Sequence, residues 1–287
     1  MTNTVQTSLP SLENKKLTLA PNEIHLWVTK PQDLLGDDEL LTRYSSLLNE
    51  EEVKKQQRYK FAKDRHDALI TRAFIRDLLS YYADVAPRDW VFDKGEKDKP
   101  EVVNAPLPLR FNISHTKNLI ACAVTLTDDI GCDVENTGRS NDVLAIAQRY
   151  FSQQETTELF SLPIEQQRNR FFDYWTLKES YIKAWGLGLA IPLADFSFTI
   201  NDEVKTTNDI FSLKNEISLS FAKHREDTPE VWRSWLLYPT KAIDEAQEHR
   251  IALSLRKKDL TTQSSNQDID YTLRFFNSKP LLGYQEF

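Results

Sequence analysis

Apolar and polar positions along this chain repeat with two different periods, and the switches between them mark the elements. Residues 23–28 (EIHLWV) alternate one for one, the period of a half-buried strand. From Asp38 to about Tyr82 the spacing becomes helical. Ala68, Ile70, Ala73, Phe74, Leu78 and Leu79 recur on one side, and Arg65, Arg72 and Arg76 share the other. Ala86-Pro87 and the stretch 94–100 (KGEKDKP) break the pattern as loops. A short strand over 109–113, a strand over 119–126 (LIACAVTL), a turn at Asp128-Asp129 and a returning strand over 130–135 (IGCDVE) follow. Helices are predicted over 141–160 and 164–186, the second stopped by Gly186-Leu187-Gly188 with Pro192 beyond. Five more strands are predicted, over 196–200, 217–221, 232–238, 250–255 and 271–276, with a polar loop at 261–268 (TTQSSNQD). Strands in short antiparallel-type succession around long helices predict an α+β fold rather than a doubly wound parallel sheet.

Composition narrows the function classes. No run of about eighteen apolar residues is present, and the first twenty residues are polar, so the expectation is a cytoplasmic protein without a membrane span. Two cysteines, Cys122 and Cys132, lack metal-site spacing and sit in apolar strands, which predicts buried thiols. The formal net charge of −7 counts against a nucleic-acid partner. Charge is uneven, however. Residues 54–110 carry thirteen Lys/Arg against nine Asp/Glu, a basic region suited to an anionic ligand or to a solvated helix face.

Two constellations could carry chemistry. Asp133 and Glu135 lie two apart on a predicted strand and so share one face, opposite Cys132 and Val134. Glu179 and Lys183 lie four apart on the helix FFDYWTLKESYIKAWG and project together. Three carboxylates brought together require a cation between them, and a hard ion such as Mg²⁺ also binds phosphate oxygens. The alternative is a solvated strand end plus an ordinary helical Glu–Lys pair. The second constellation is FNISH over 111–115, where His115 and Ser114 could donate to an anionic oxygen, or His115 could be structural.

Read in order, FNISH (111–115), IGCDVE (130–135) and WTLKESYIK (175–183), followed by Gly186-Leu187-Gly188-Leu189 and Pro192, resemble the 4′-phosphopantetheinyl transferase superfamily, the larger surfactin-synthetase-activating type. The resemblance runs from about Glu23 to about Phe276. It implies two similar α+β halves as a pseudo-twofold pair with coenzyme A between them. The corresponding division is an extension over 1–20, an N-terminal half over 21–128, a C-terminal half with the metal centre over 129–277, and a tail over 278–287. By resemblance the metal ligands fall on Asp133, Glu135 and Glu179, with Mg²⁺, or Mn²⁺ in its place. Coenzyme A contacts fall on Lys55, Arg58, Lys99, Ser114, His115, Lys178 and Lys183. Where close relatives carry a His-Arg pair, this chain has His66-Asp67, so the 3′-phosphate falls to Arg65 or Arg72. The family's glycine before Lys-Pro is here Asp98.

The implied reaction moves the 4′-phosphopantetheine arm of coenzyme A to a serine of an apo carrier protein or carrier domain, with Glu179 as base and Lys183 on the departing phosphate. The partners are coenzyme A and the carrier, with no nucleic acid and no membrane, and the internal duplication implies a monomer. Residues 186–196 (GLGLAIPLADF) are a candidate carrier-docking patch or a core-packed turn. The competing readings are a metal-dependent nuclease and a non-catalytic coenzyme A or carrier-binding module.

Overall fold

The computed structural model describes residues 12–95, 99–140, 142–186, 190–206, 210–241, 243–246, 248–258 and 270–287. In chain order the elements are β1 (Glu23–Thr29), α1 (Asp38–Ser45), α2 (Glu50–Gln57), α3 (Ala62–Ser80), β2 (Phe92–Lys94), β3 (Pro100–Val102), β4 (Leu109–Thr116), β5 (Leu119–Leu126) and β6 (Asp129–Asn136). Then come α4 (Val143–Tyr150), α5 (Gln153–Ser161), α6 (Ile164–Trp185), β7 (Phe196–Ile200), β8 (Lys205–Thr206), β9 (Phe211–Lys214), β10 (Ile217–Phe221), β11 (Trp232–Pro239), β12 (His249–Arg256), β13 (Thr272–Lys279) and β14 (Gly283–Glu286). The class is α+β, as the alternation predicted.

Two five-stranded sheets, ordered β14-β13-β1-β5-β4 and β6-β12-β11-β9-β8, carry the architecture. Strand alternation sorts their side chains into layers. Ile24, Leu26 and Val28 of β1, and Leu119, Ala121 and Ala123 of β5, pack against Ile130, Cys132 and Val134 of β6 and Ile251, Leu253 and Leu255 of β12. On the other face of the first sheet, Trp27, Ile120, Cys122 and Val124 meet Ile70, Phe74 and Leu78 of α3. On the other face of the second sheet, Leu236 and Ala252 meet Phe172, Leu177 and Tyr181 of α6. The order is helices, sheet, sheet, helices. Both cysteines are free and buried, as expected.

The helices are shorter than the periodicity predicted because capping residues cut them. Asn49 and Glu52 form a reciprocal capping box that starts α2 afresh, and Ser152 with Glu155 does the same for α5. The helical stretch expected over 38–82 holds three helices, and the helix expected over 141–160 is two. Gly186 ends α6 in the left-handed conformation, φ +75°. The glycine-rich continuation over 187–189, the loop expected over 261–268 and Asp98 lie outside the described residues.

Strand β13 spans the expected boundary at 277. Strand β13 runs parallel to β1 inside the first sheet, with Leu26 opposite Phe275, and β14 pairs with β13. Nor is the end of the chain a loose tail. Phe276 stacks on Trp27 at 4.5 Å and Tyr284 meets it edge-on at 5.4 Å, while Tyr82 accepts a 2.6 Å hydrogen bond from the Trp27 indole. The C-terminal strands thus complete the N-terminal core. Residues 12–20 of the expected extension dock there as well, with Glu13 bridging Tyr284 and Leu19 buried.

Candidate active site

The site forms at the seam where β4, the edge of one sheet, runs beside β6, the edge of the other. Two unpaired edges would leave main-chain groups unsatisfied. Here Asn112 Oδ1 accepts from the Cys132 main-chain N–H at 2.8 Å and ties the seam. On β6 the helix-facing residues are Gly131, Asp133 and Glu135. A β-carbon on Gly131 would lie 1.9 Å from Ser180 O and 2.5 Å from Ala184 N, so only glycine lets α6 come down onto this strand. That approach sets the stripe Trp175, Glu179, Lys183, spaced one helical turn apart, over the two carboxylates.

Lys183 Nζ donates to Asp133 Oδ1 at 2.6 Å and to Ser114 Oγ at 2.8 Å, and Ser114 Oγ donates to the same Asp133 oxygen at 3.0 Å. Trp175 Nε1 donates to Glu135 Oε1 at 3.0 Å. Arg139 forms an ion pair with Glu135. Asp133 is buried, yet its Oδ2 has no hydrogen-bond partner. Negative charge is crowded here. Burial, then the neighbouring Asp133, push the Glu135 carboxyl up to about 7, with Arg139, Trp175 and Lys183 opposing. The same two causes raise Glu179 above the ordinary carboxylate range, against Lys183. Burial works against the Lys183 ammonium, but the Asp133 carboxylate outweighs it and lifts its pKa.

Beside the cluster opens a cleft of about 920 Å³ between α3 and the β4–β5 turn on one side and residues 136–140 with Glu248 on the other. Its cations are Lys63, Arg72, Lys117 and Arg139, and its carboxylates Asp64, Asp67 and Glu248. The carboxylate cluster reaches the cleft through two residues, His115 and Arg139. Desolvation, then the nearby Lys183 ammonium, lower the His115 pKa, which keeps its ring neutral near pH 7 with one N–H to donate.

The sequence-predicted residues divide. Asp133, Glu135, Glu179, Lys183 and Ser114 come together, with His115 and Arg72 on the cleft. His115 lies within β4 rather than past it, because the strand runs on to Thr116 before a tight turn with Asn118 at φ +68°. Ser114 and His115 therefore face opposite sides, the serine to the cluster and the histidine to the cleft.

The other predicted contacts are elsewhere. Lys178 is fully buried, pairs with the buried Glu155 at 2.7 Å and donates to the carbonyls of Leu193 and Phe196, each at 2.7 Å. Its three ammonium hydrogens are spent inside the core, away from the cleft. Arg65 holds the α2–α3 connection through the carbonyls of Tyr59 (2.8 Å) and Lys60 (3.1 Å), which leaves Arg72 as the one of the pair on the cleft. Lys55 and Arg58 are exposed at the end of α2 and do not line the cleft. Lys99 donates to the Lys183 carbonyl at 2.9 Å, at the last turn of α6, and burial lowers its pKa to about 8. It braces the helix end rather than the cleft. In the candidate docking segment, Ile191, Leu193 and Phe196 are buried, while Ala190, Pro192 and Ala194 alternate with them and are exposed.

Lys63, Lys117, Arg139 and Trp175 are site residues that sequence reasoning did not single out. Trp175 was within reach, four residues before Glu179 on the same helical stripe. Among the described residues, no three His, Cys, Asp or Glu side chains already converge as a metal cage.

A lysine sits on a carboxylate cluster, and beside it lies a cleft with four cations against three carboxylates; comparison with known proteins gives the class of enzyme. The family model described as "4′-phosphopantetheinyl transferase superfamily" matches residues 129–254, and the one described as "4′-phosphopantetheinyl transferase, N-terminal" matches residues 37–127. The 4′-phosphopantetheinyl transferase HetI of Nostoc sp. is 36% identical over 189 residues, 64% of this chain and 76% of that protein. The 4′-phosphopantetheinyl transferase Sfp of Bacillus subtilis is 32% identical over 161 residues, 56% of this chain and 70% of that protein. A phosphopantetheinyl transferase of Thraustochytrium sp. is 26% identical over 198 residues, 64% and 68%. The chain belongs to the 4′-phosphopantetheinyl transferase superfamily.

Proposed function

We propose that this enzyme transfers the 4′-phosphopantetheine arm of coenzyme A to a serine of an apo carrier protein, with Mg²⁺ held by Asp133, Glu135 and Glu179. The serine oxygen forms a bond to the pantetheine-side phosphorus, the bridging P–O bond breaks, and adenosine 3′,5′-bisphosphate leaves with the bridging electron pair. Family membership supplies the reaction class. The single observation that carries the site assignment is the Lys183–Asp133–Ser114 cluster with Glu179 overhead, at the edge of a cationic cleft.

The donor set suits a hard cation. Asp133 Oδ2 is buried and unpartnered, and burial, then the Asp133 charge, raise both Glu135 and Glu179. When bound, the ion neutralises charge that builds on the diphosphate, and Mn²⁺ has the same oxygen chemistry. The chain's own residues do the rest. Lys183 donates a hydrogen bond to the departing phosphate, and neutral His115 donates a second N–H from the cleft wall. Glu179, its pKa already moved toward neutrality, takes the serine proton directly or through water. Arg72, Lys63 and Lys117 hold the nucleotide phosphates in the cleft.

The two sheet-and-helix halves act as a pseudo-twofold pair on this reading, and one chain suffices as a cytoplasmic monomer. No helix among the described residues is long and apolar enough to cross a membrane. Incubation with apo carrier proteins, coenzyme A and Mg²⁺, followed by mass spectrometry, should add one phosphopantetheinyl group to a carrier serine. Unmodified carriers throughout, with coenzyme A bound and intact, would favour a binding module instead.

A further inference from the structure

Arg139 belongs to two environments at once. Its guanidinium is the ion-pair partner of Glu135, and it also lines the cleft, with 47% of the side chain exposed. The guanidinium Nη2 faces Glu135 Oε2, an oxygen that takes no hydrogen bond from any other described residue. The other anchors on both partners are independent of it. Glu135 is held at Oε1 by the Trp175 indole, 3.0 Å away. The Arg139 main chain is held by Arg168, which donates to the Arg139 carbonyl and, through Nε at 3.1 Å, to the Thr137 carbonyl. Among the described residues the Arg139 side chain also donates to Thr116 Oγ1, at a long 3.3 Å. The guanidinium can therefore leave Glu135 while the carboxylate and the turn stay in place.

A competition follows. Glu135 already has a cation, so a divalent ion must displace Arg139 or share the carboxylate with it against like-charge repulsion. Resting on the metal and coenzyme A reading above, we infer that Arg139 is an exchangeable counter-ion that couples cation binding to coenzyme A binding. Without a divalent ion it pairs with Glu135 and offsets part of that charge. Once the ion takes that carboxylate, the guanidinium turns into the cleft and binds a coenzyme A phosphate. An arginine suits both stations, because its planar fork matches carboxylate and phosphate alike. By linkage the coupling is reciprocal, so each ligand tightens the other through this one side chain.

The test measures Mn²⁺ binding by electron paramagnetic resonance and coenzyme A binding by calorimetry, on the full chain and on R139Q and R139K, with circular dichroism to verify folding. Without coenzyme A, R139Q should bind Mn²⁺ about three- to tenfold tighter, because the competing cation is gone. Its coenzyme A affinity should stay within about twofold of the parent in the absence of metal, and fall about tenfold at saturating Mn²⁺. R139K should retain part of the coupling. An equal loss of coenzyme A affinity with and without Mn²⁺ would make Arg139 a fixed cleft contact and overturn the exchange. So would parent-like Mn²⁺ and coenzyme A binding by R139Q. Failure of the underlying metal reading is seen separately, on the parent alone, as no Mn²⁺ uptake with or without coenzyme A.

Discussion

Lys178 and Lys183 sit five residues apart on one helix, inside one recognisable motif, and meet opposite fates. Lys178 is sealed in the core with Glu155 and two carbonyls, and Glu155 in turn accepts from the Phe198 main chain at 2.9 Å and caps α5. Every polar group in that cluster has a partner. Lys183 is only partly buried, shares Asp133 with Ser114, and stands beside Glu135 and Glu179, which burial and then the Asp133 charge raise. One cluster is closed and the other holds surplus charge. On the proposed function, unsatisfied polarity, rather than burial or motif membership, separates a group that acts from one that supports.

That contrast can be broken by substitution. The largest effect is expected at the closed cluster. Lys178→Met leaves Glu155 buried without its cation and should lower the urea unfolding free energy by about 3–5 kcal/mol, with no recovery in Mg²⁺. A stable variant with weakened coenzyme A binding would instead return Lys178 to the cleft. Next comes Lys183→Met, which should cut transfer about a hundredfold or more. Its stability cost should be smaller, about 1–2 kcal/mol, because this lysine is partly hydrated, and Mg²⁺ should restore part of that loss by taking over Asp133. Transfer at the parent rate would remove Lys183 from the reaction.

The smallest effect concerns pH. The Glu135 carboxyl is raised from its ordinary 4.5 to about 7 in the folded chain, so folding favours its protonated form. The associated stability is full below about pH 4.5 and is lost as pH rises through about 7. Glu135→Gln removes that loss. At pH 8 without metal the variant should be more stable than the parent by roughly 1–3 kcal/mol, as read from urea titrations. A variant no more stable than the parent would mean that Arg139 already neutralises Glu135 in full.

The parts of the site that follow strict periods were legible in the sequence. Asp133 and Glu135 share a face because a strand alternates, and Glu179 and Lys183 share one because a helix turns. Helix limits were legible too, in Asn-Glu-Glu-Glu at 49–52 and Ser-Gln-Gln-Glu at 152–155, but the apolar periodicity running through them concealed the cuts. What the sequence hid is tertiary. Nothing near Lys178 announces Glu155, which arrives from another helix, and nothing near Lys99 announces that it will reach the carbonyl of Lys183. Residues 283–286 form a strand against β13, where Tyr284 meets Trp27, far away in the chain. Arg139 lies in an irregular turn, where no period points a side chain anywhere.

The most direct test of the shared-cation claim is a crystal of this protein grown with Mn²⁺ and coenzyme A, examined by anomalous scattering at the manganese edge. The account predicts one peak bounded by carboxylate oxygens of Asp133, Glu135 and Glu179 at ordinary ligand distances, roughly 2.1 Å for a magnesium-sized ion. No peak there, with Lys183 and Arg139 still paired to Asp133 and Glu135 beside bound coenzyme A, would contradict it.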